Sequence, residues 1–195
     1  MTNLEKIQEN INSIITLNQE EWLMVAAVLE KKFIKKNDFF LQEKQICTSI
    51  AFVDKGVLIY YKTLDNANEV TTDFAFDNEW VTNNHSRLNA TPSLLNIKAI
   101  EDSELLVIEQ NNLLNLYDRI PRLERFGRLL MEQAYVKLVE LSVDLQTLSA
   151  KDRYSKLLQS YPEIFQKVPL HHIANYLGVA PKSLSRIRNT IFYQK

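Results

Sequence analysis

Cysteine is almost missing from this chain. One thiol, Cys47, among 195 residues cannot close an internal disulfide and cannot supply the several thiolates that hold an iron–sulfur cluster. Glycine is nearly as scarce: only Gly56, Gly127 and Gly178 occur, so no glycine-rich phosphate loop, cofactor turn or nucleophile elbow can be assembled. No metal-ligand spacing is present, and the acid pair Glu101 and Asp102 falls in a turn-like stretch and reads as solvated. An enzyme is therefore not expected. Apolar runs are short as well. The longest, residues 22–29, 57–61 and 105–108, fall far below the roughly 20 residues that cross a bilayer. The polar, acid-bearing start lacks the basic and apolar regions of a targeting peptide, so the expected location is the cytoplasm, with no membrane partner. What is there, 46% hydrophobic and 24% charged residues, is the composition of an ordinary globular chain.

The net charge of −1 conceals a division. Residues 1–117 carry ten basic and seventeen acidic side chains, whereas residues 118–195 carry thirteen basic and seven acidic ones. Residues 169–195 contain Lys182, Arg186, Arg188 and Lys195 and no Asp or Glu. A basic end free of acids points to a polyanionic partner.

Hydrophobic spacing divides the chain into helix, strands and helix again. Leu4, Ile7, Ile11, Ile14 and Ile15 repeat at helical intervals, and Asn18 with Glu21 forms a capping-box start for a second helix carrying Trp22, Val25, Ala26 and Leu29 inward. From about Phe33 short β-like runs follow, over residues 39–41, 50–53, 57–61, 69–76, 94–100 and 105–108. Asp54-Lys55-Gly56 separates two of them as a hairpin-like turn, and residues 65–68 form a polar tip between the next two. So many short strands predict a sandwich or barrel, and an α+β chain overall.

The helical period returns after Ile108, with a short helix over residues 110–117. Pro121 then suits the first position of a long helix reaching about Leu148. Within it Ala134, Leu138, Leu141, Leu145 and Leu148 are spaced 4, 3, 4 and 3, the seam of a two-stranded coiled coil, and predict a dimer interface. Gly127 marks either a close crossing or a tolerated break.

The last 45 residues hold the most specific pattern. Ser149 and Asp152 start a helix that stops before Pro162. Pro169 opens a second with apolar Leu170, Ile173, Ala174 and Leu177; Gly178 turns the chain; Pro181 opens a third with Leu184 and Ile187. In a helix–turn–helix Ala174 must be small where the helices cross, Gly178 must accept a left-handed backbone, and Ile173, Leu177, Leu184 and Ile187 must be apolar. The outer face of the last helix then offers Lys182, Ser183, Ser185, Arg186, Arg188 and Asn189 to base edges and phosphates of double-stranded DNA. The adjacent His171 and His172 point to different faces and read as surface or phosphate contacts rather than metal ligands; no metal site is expected.

The "FVDKGVLIYY" hairpin in an eight-strand region, the long helix, and "IANYLGV" and "SLSRIR" near the end together resemble the Crp/Fnr family of bacterial transcription regulators, in its short Bacteroidetes-type form. The resemblance covers essentially the whole chain. It implies a cyclic-nucleotide-binding-like double-stranded β-roll (jelly roll) over residues 1–118, a central dimerisation helix over 119–148 and a winged helix–turn–helix over 149–195. The family's wing strand is not expected, because the chain stops shortly after the last helix. A homodimer reading a palindromic operator follows, with RNA polymerase as a further partner. By position, Arg186 corresponds to the arginine that reads guanine and Ser185 to a neighbouring contact, while Lys182 replaces a glutamate common among relatives and shifts the expected base from cytosine to guanine. Cyclic-nucleotide binders of the family use a Gly-Glu pair for the ribose and an Arg-Ser or Arg-Thr pair for the phosphate. Here Glu79 is kept, but Asn78, Ser93 and Leu94 replace the other three, with Arg87 nearby. The usual mode of cyclic nucleotide binding is therefore not expected. A haem would need an axial ligand such as His85, and the resemblance leaves the small-molecule effector unidentified. The alternative is a small-molecule or protein-binding module whose terminal helices no longer read DNA.

Overall fold

The computed structural model describes residues 3–193, so Lys195 of the basic end lies outside the described residues. The chain opens with α1 (Asn3–Asn12) and α2 (Gln19–Ala27). The capping box is formed: Asn18 Oδ1 accepts from the Glu21 amide at 2.9 Å, and Glu21 Oε2 accepts from the Asn18 amide at 2.8 Å. Val25 is buried, whereas Trp22, Ala26 and Leu29 are half-buried.

Eight strands follow: β1 (Glu30–Ile34), β2 (Phe39–Leu41), β3 (Ser49–Lys55), β4 (Leu58–Thr63), β5 (Glu69–Ala75), β6 (Trp80–Val81), β7 (Asn96–Ala99) and β8 (Ser103–Glu109), with α3 (Asn84–Asn89) between β6 and β7. They form two four-stranded sheets, β1-β8-β3-β6 and β2-β7-β4-β5. Alternation explains the nearly continuous burial of β3 and β8. Ala51, Val53, Leu105 and Val107 join Leu58, Ile97 and Ala99 in the core shared by both sheets. Phe52 and Leu106 face the other way, onto Ile7, Ile11, Leu116, Leu123 and Phe126 of the helices. Both faces of the sheet are thereby covered.

One expectation is overturned here. Residues 52–61 do not form a hairpin, because β3 pairs with β8 and β6 while β4 lies in the other sheet. Gly56 turns the corner between sheets at φ +122, and its amide donates to Asp77 Oδ1 at 2.7 Å. Two strands each buried on both sides need separate sheets to cover them, so a tight turn between apolar runs becomes a crossover. The polar tip at residues 65–68 does connect neighbouring strands, β4 and β5.

Beyond β8 come α4 (Gln110–Arg119) and α5 (Pro121–Thr147), a single helix of 27 residues. Gly127 marks a close approach, since a Cβ there would run into the Tyr117 phenol. The remaining helices are α6 (Ala150–Ser160), α7 (Ile164–Lys167), α8 (Leu170–Tyr176) and α9 (Pro181–Tyr193). The chain's contacts gather into two compact units, one of Met1–Tyr60 with Phe74–Glu132, the other of Tyr61–Asp73 with Gln133–Lys195. Of the expected seam on α5, Ala134, Leu138 and Leu145 are exposed, while Leu141 and Leu148 are half-buried, and Leu141 lines a groove among the chain's own helices. Met131 and Tyr135 of the same helix are exposed apolar residues as well.

Candidate nucleic-acid interface

The second unit is held by a small core of its own. Tyr154 of α6 is fully buried with its ring 5.0 Å from Phe165, and Ile173, Ala174, Leu177 and Leu184 are buried between α8 and α9. The turn between these helices is closed by Gly178, whose φ is +66, and by the Val179 amide donating to the Ala174 carbonyl at 2.9 Å. This is the left-handed termination glycine accepts most readily. Ile187 is half-buried on the same side of α9 as Leu184.

Five of the six side chains expected to meet DNA are exposed on α9: Lys182, Ser183, Ser185, Arg186 and Asn189. Arg188 is the exception. It is half-buried, with its guanidinium 5.1 Å from the Phe165 ring centre; burial raises the Tyr154 phenol above its ordinary value, and Arg188 offsets part of that rise. Its place in the helix turns it inward, so it packs the unit together. His172 also departs from expectation. It is buried, with Nδ1 2.9 Å from Thr71 Oγ1, while only its neighbour His171 is exposed.

Three contacts invisible in the sequence pattern tie β5 to the helices, two of them to α8 and one to α5. Glu69, Thr71 and Asp73 alternate along β5 and so share one face. The Glu69 carbonyl accepts from Asn175 Nδ2 at 2.7 Å, Thr71 meets His172, and Asp73 accepts from Lys137 Nζ at 2.8 Å. Arg153 joins two helix ends: its Nη1 donates to the Leu148 carbonyl at 2.7 Å and its Nη2 to the Leu177 carbonyl at 2.9 Å. A cation suits helix C-termini, where carbonyls lack partners.

Lys137, Leu141, Arg153, Leu157, Tyr161 and Tyr176 line a groove of about 180 Å³ in this unit. Burial favours neutral Lys137, but Asp73 and the nearby phenols outweigh it and hold the ammonium above its ordinary range. Burial, with Asp73 adding to it, pushes Tyr176 up from 10.0 to about 12. Both groups hold their protons more tightly folded than unfolded, so their stabilisation is complete below about pH 10; it declines above that, the Tyr176 part being lost as pH rises through about 12 and the Lys137 part persisting to higher pH. Thermal melts from pH 8 to 12 should show this unit losing stability above about pH 10; a flat profile would contradict the assignment.

The residues expected around an effector have hydrogen-bond partners within the fold. The Ser93 hydroxyl is buried and donates to the Leu95 carbonyl at 2.6 Å while accepting from Asn83 Nδ2 at 2.8 Å. Leu94 is exposed. Arg87 is engaged by Asn84 Oδ1 at 2.8 Å and Gln110 Oε1 at 2.5 Å. Glu79 Oε2 accepts from the Phe76 amide at 2.9 Å. Asn78, beside it, has a left-handed backbone at φ +68. Arg87 is the one cation among these four, and its Nε is buried without a hydrogen-bond partner. Among the described residues, no group of three or more His, Cys, Asp or Glu is placed to hold a metal, and no helix is long and apolar enough to cross a membrane.

Residues 31–120 match the family model of the cyclic nucleotide-binding domain. The first half of the chain is thus a β-roll of that class. Solved structures extend the likeness to the C-terminal helices. FixK2 from Bradyrhizobium japonicum aligns at TM-score 0.75 and 15% identity, over 86% of this chain and 86% of that one. A Crp/Fnr-family protein from Eubacterium rectale aligns at 0.67 and 20% identity, over 91% and 85%. The c-di-GMP-responsive regulator CLP from Xanthomonas campestris aligns at 0.68 and 13% identity, over 91% and 93%. No curated protein sequence matches. Roll, long helix and terminal helices together are the fold that these solved structures share.

Proposed function

We propose that this protein is a homodimeric, sequence-specific DNA-binding transcription regulator of the Crp/Fnr type. Residues 1–118 serve as sensor, 119–148 as dimerisation helix and 149–195 as DNA reader. The observation that carries the reading is α9, which exposes Lys182, Ser183, Ser185, Arg186 and Asn189 while Leu184 locks its other side into the fold. The exposed apolar residues of α5 support the dimer, because Tyr135 at 68% and Leu138 at 64% exposure are costly to leave in water. A two-fold dimer presents two recognition helices to half-sites about one DNA turn apart. The effector is a small molecule other than a cyclic nucleotide bound in the usual way, a reading supported by the hydrogen bonds of Ser93, Arg87 and Glu79 with Leu95, Gln110 and Phe76. RNA polymerase is the partner such a regulator acts on, in the cytoplasm.

Replacing Arg186 with alanine should weaken binding to the selected operator by about 1 to 3 kcal/mol and relax its sequence preference. Fluorescence anisotropy on operator and random duplexes at two salt concentrations separates the cases. Equal loss on both would show that Arg186 meets only phosphate, and binding insensitive to salt would contradict DNA recognition altogether.

A further inference from the structure

Arg153, in the first turn of α6, holds two helix ends at once. Its Nη1 donates to the Leu148 carbonyl at 2.7 Å, where α5 has just ended. Its Nε and Nη2 both donate to the Leu177 carbonyl, at 3.1 and 2.9 Å, where α8 ends. Leu177 stands at the turn itself: Gly178 follows at φ +66, and Pro181 then begins α9. Leu145 of α5 lies beside the same turn, since a Cβ at Gly178 would stand 3.5 Å from its Cδ2. All these residues belong to the second compact unit.

A guanidinium is a rigid planar fork whose donors point in fixed directions, so bonds from both of its edges fix the angle between two helix ends as well as their distance. The bonds are charge-assisted and fall on carbonyls at helix C-termini, where the helix dipole is negative. Leu148 and Ser149 alone connect α5 to α6, and each carries two soft dihedrals, so the backbone by itself does not set this angle. Lys156 adds a tie between α6 and α5 by donating to Asp144 Oδ2 at 2.6 Å. Arg153 carries that tie onward to α8, and so to α9. In a dimer built on α5, half-sites about one DNA turn apart are met together only when both copies of α9 stand at a matching separation and tilt.

We infer that Arg153 is a positioning residue for DNA recognition: by clamping the end of α8 to the end of α5 it sets where the dimer's two α9 helices stand. This rests on the dimeric regulator just proposed. Arg153→Lys keeps the charge and loses the fork; Arg153→Met keeps the apolar stem and loses both. The probe is the symmetric site that the purified wild-type chain enriches from random duplexes, with its isolated half-site and two versions carrying one base pair more or fewer at the centre. One pair turns the second half-site by roughly 35° about the DNA axis, so the wild type should discriminate sharply against both altered spacings. Both variants should bind the native spacing about tenfold or more weakly. They should also discriminate less between spacings, and bind the isolated half-site as the wild type does. A purely structural role would lower half-site and full-site binding by the same factor, and that parallel loss overturns the inference. So does a variant that keeps wild-type affinity and spacing preference. Thermal melts follow folding: if Arg153→Met does not fold, Arg153→Lys decides, and failure of both to fold overturns the inference. Each of these outcomes leaves the regulator standing. No symmetric site enriched by the wild-type chain at low salt overturns the regulator, and the inference with it.

Discussion

Gly56→Ala is expected to lower the stability of the β-roll by about 3 to 5 kcal/mol, a large share of what an ordinary domain has. Two independent costs combine. At φ +122 the backbone is in a region that a residue with a Cβ occupies only under strain of about 1 to 3 kcal/mol. The added carbon would also stand 2.8 Å from Ser103 Cα, in the backbone of β8, where no flexible side chain can move aside. Overpacking of this kind costs a further 1 to 3 kcal/mol. Relief by shifting the corner would pull the Gly56 amide from Asp77 and disturb both sheets at once. Chemical denaturation of the wild type and the variant measures the difference, and a loss under 1 kcal/mol would mean the corner is far more pliable than its packing indicates.

Leu138→Glu should separate the proposed dimer into monomers while leaving each monomer as stable as before. Leu138 is 64% exposed, so the fold gains little from it. In a two-fold interface each residue acts twice, and the substitution would set two carboxylates into the seam formed with Met131, Tyr135 and Leu145. Burying charge without a partner there should cost about 3 kcal/mol or more, at least a hundredfold in dimer dissociation. Sedimentation equilibrium gives the association constant directly. Operator affinity should fall with it, because a monomer meets only one half-site. A variant that remains fully dimeric would move the interface off this face of α5.

What could be read in the sequence was whatever local chemistry dictates. Pro121 at a helix start, Asn18 with Glu21 at a cap and Gly178 in a turn each impose their geometry on immediate neighbours, and these features stand where the spacing put them. Helix α3 and the two-residue β6 are too short for any periodicity to show. Strand β1 was hidden because four of its five residues, Glu30, Lys31, Lys32 and Phe33, are exposed at a sheet edge. Charged edges protect against unwanted pairing but erase the alternation that reveals a strand. Pairing partners are a long-range property, so the crossover at Gly56 looked like a hairpin. The same holds for His172 and Arg188. Their chemistry suits a phosphate, yet Thr71, a hundred and one residues away in sequence, and Phe165 claim them instead.

Helix α9 divides its labour by side. Leu184 is buried and Ile187 and Arg188 are half-buried, and they keep the helix in place, while Lys182, Ser183, Ser185, Arg186 and Asn189 support nothing in the fold that their exposure would betray. Substitutions on the outer side therefore come at little cost to folding, usually within about 0.5 kcal/mol. On the proposed reading, a lineage carrying this chain moves the regulator to new promoters by single codon changes, without first acquiring a compensating mutation in the core. Duplicated copies can diverge in their targets while keeping the same scaffold.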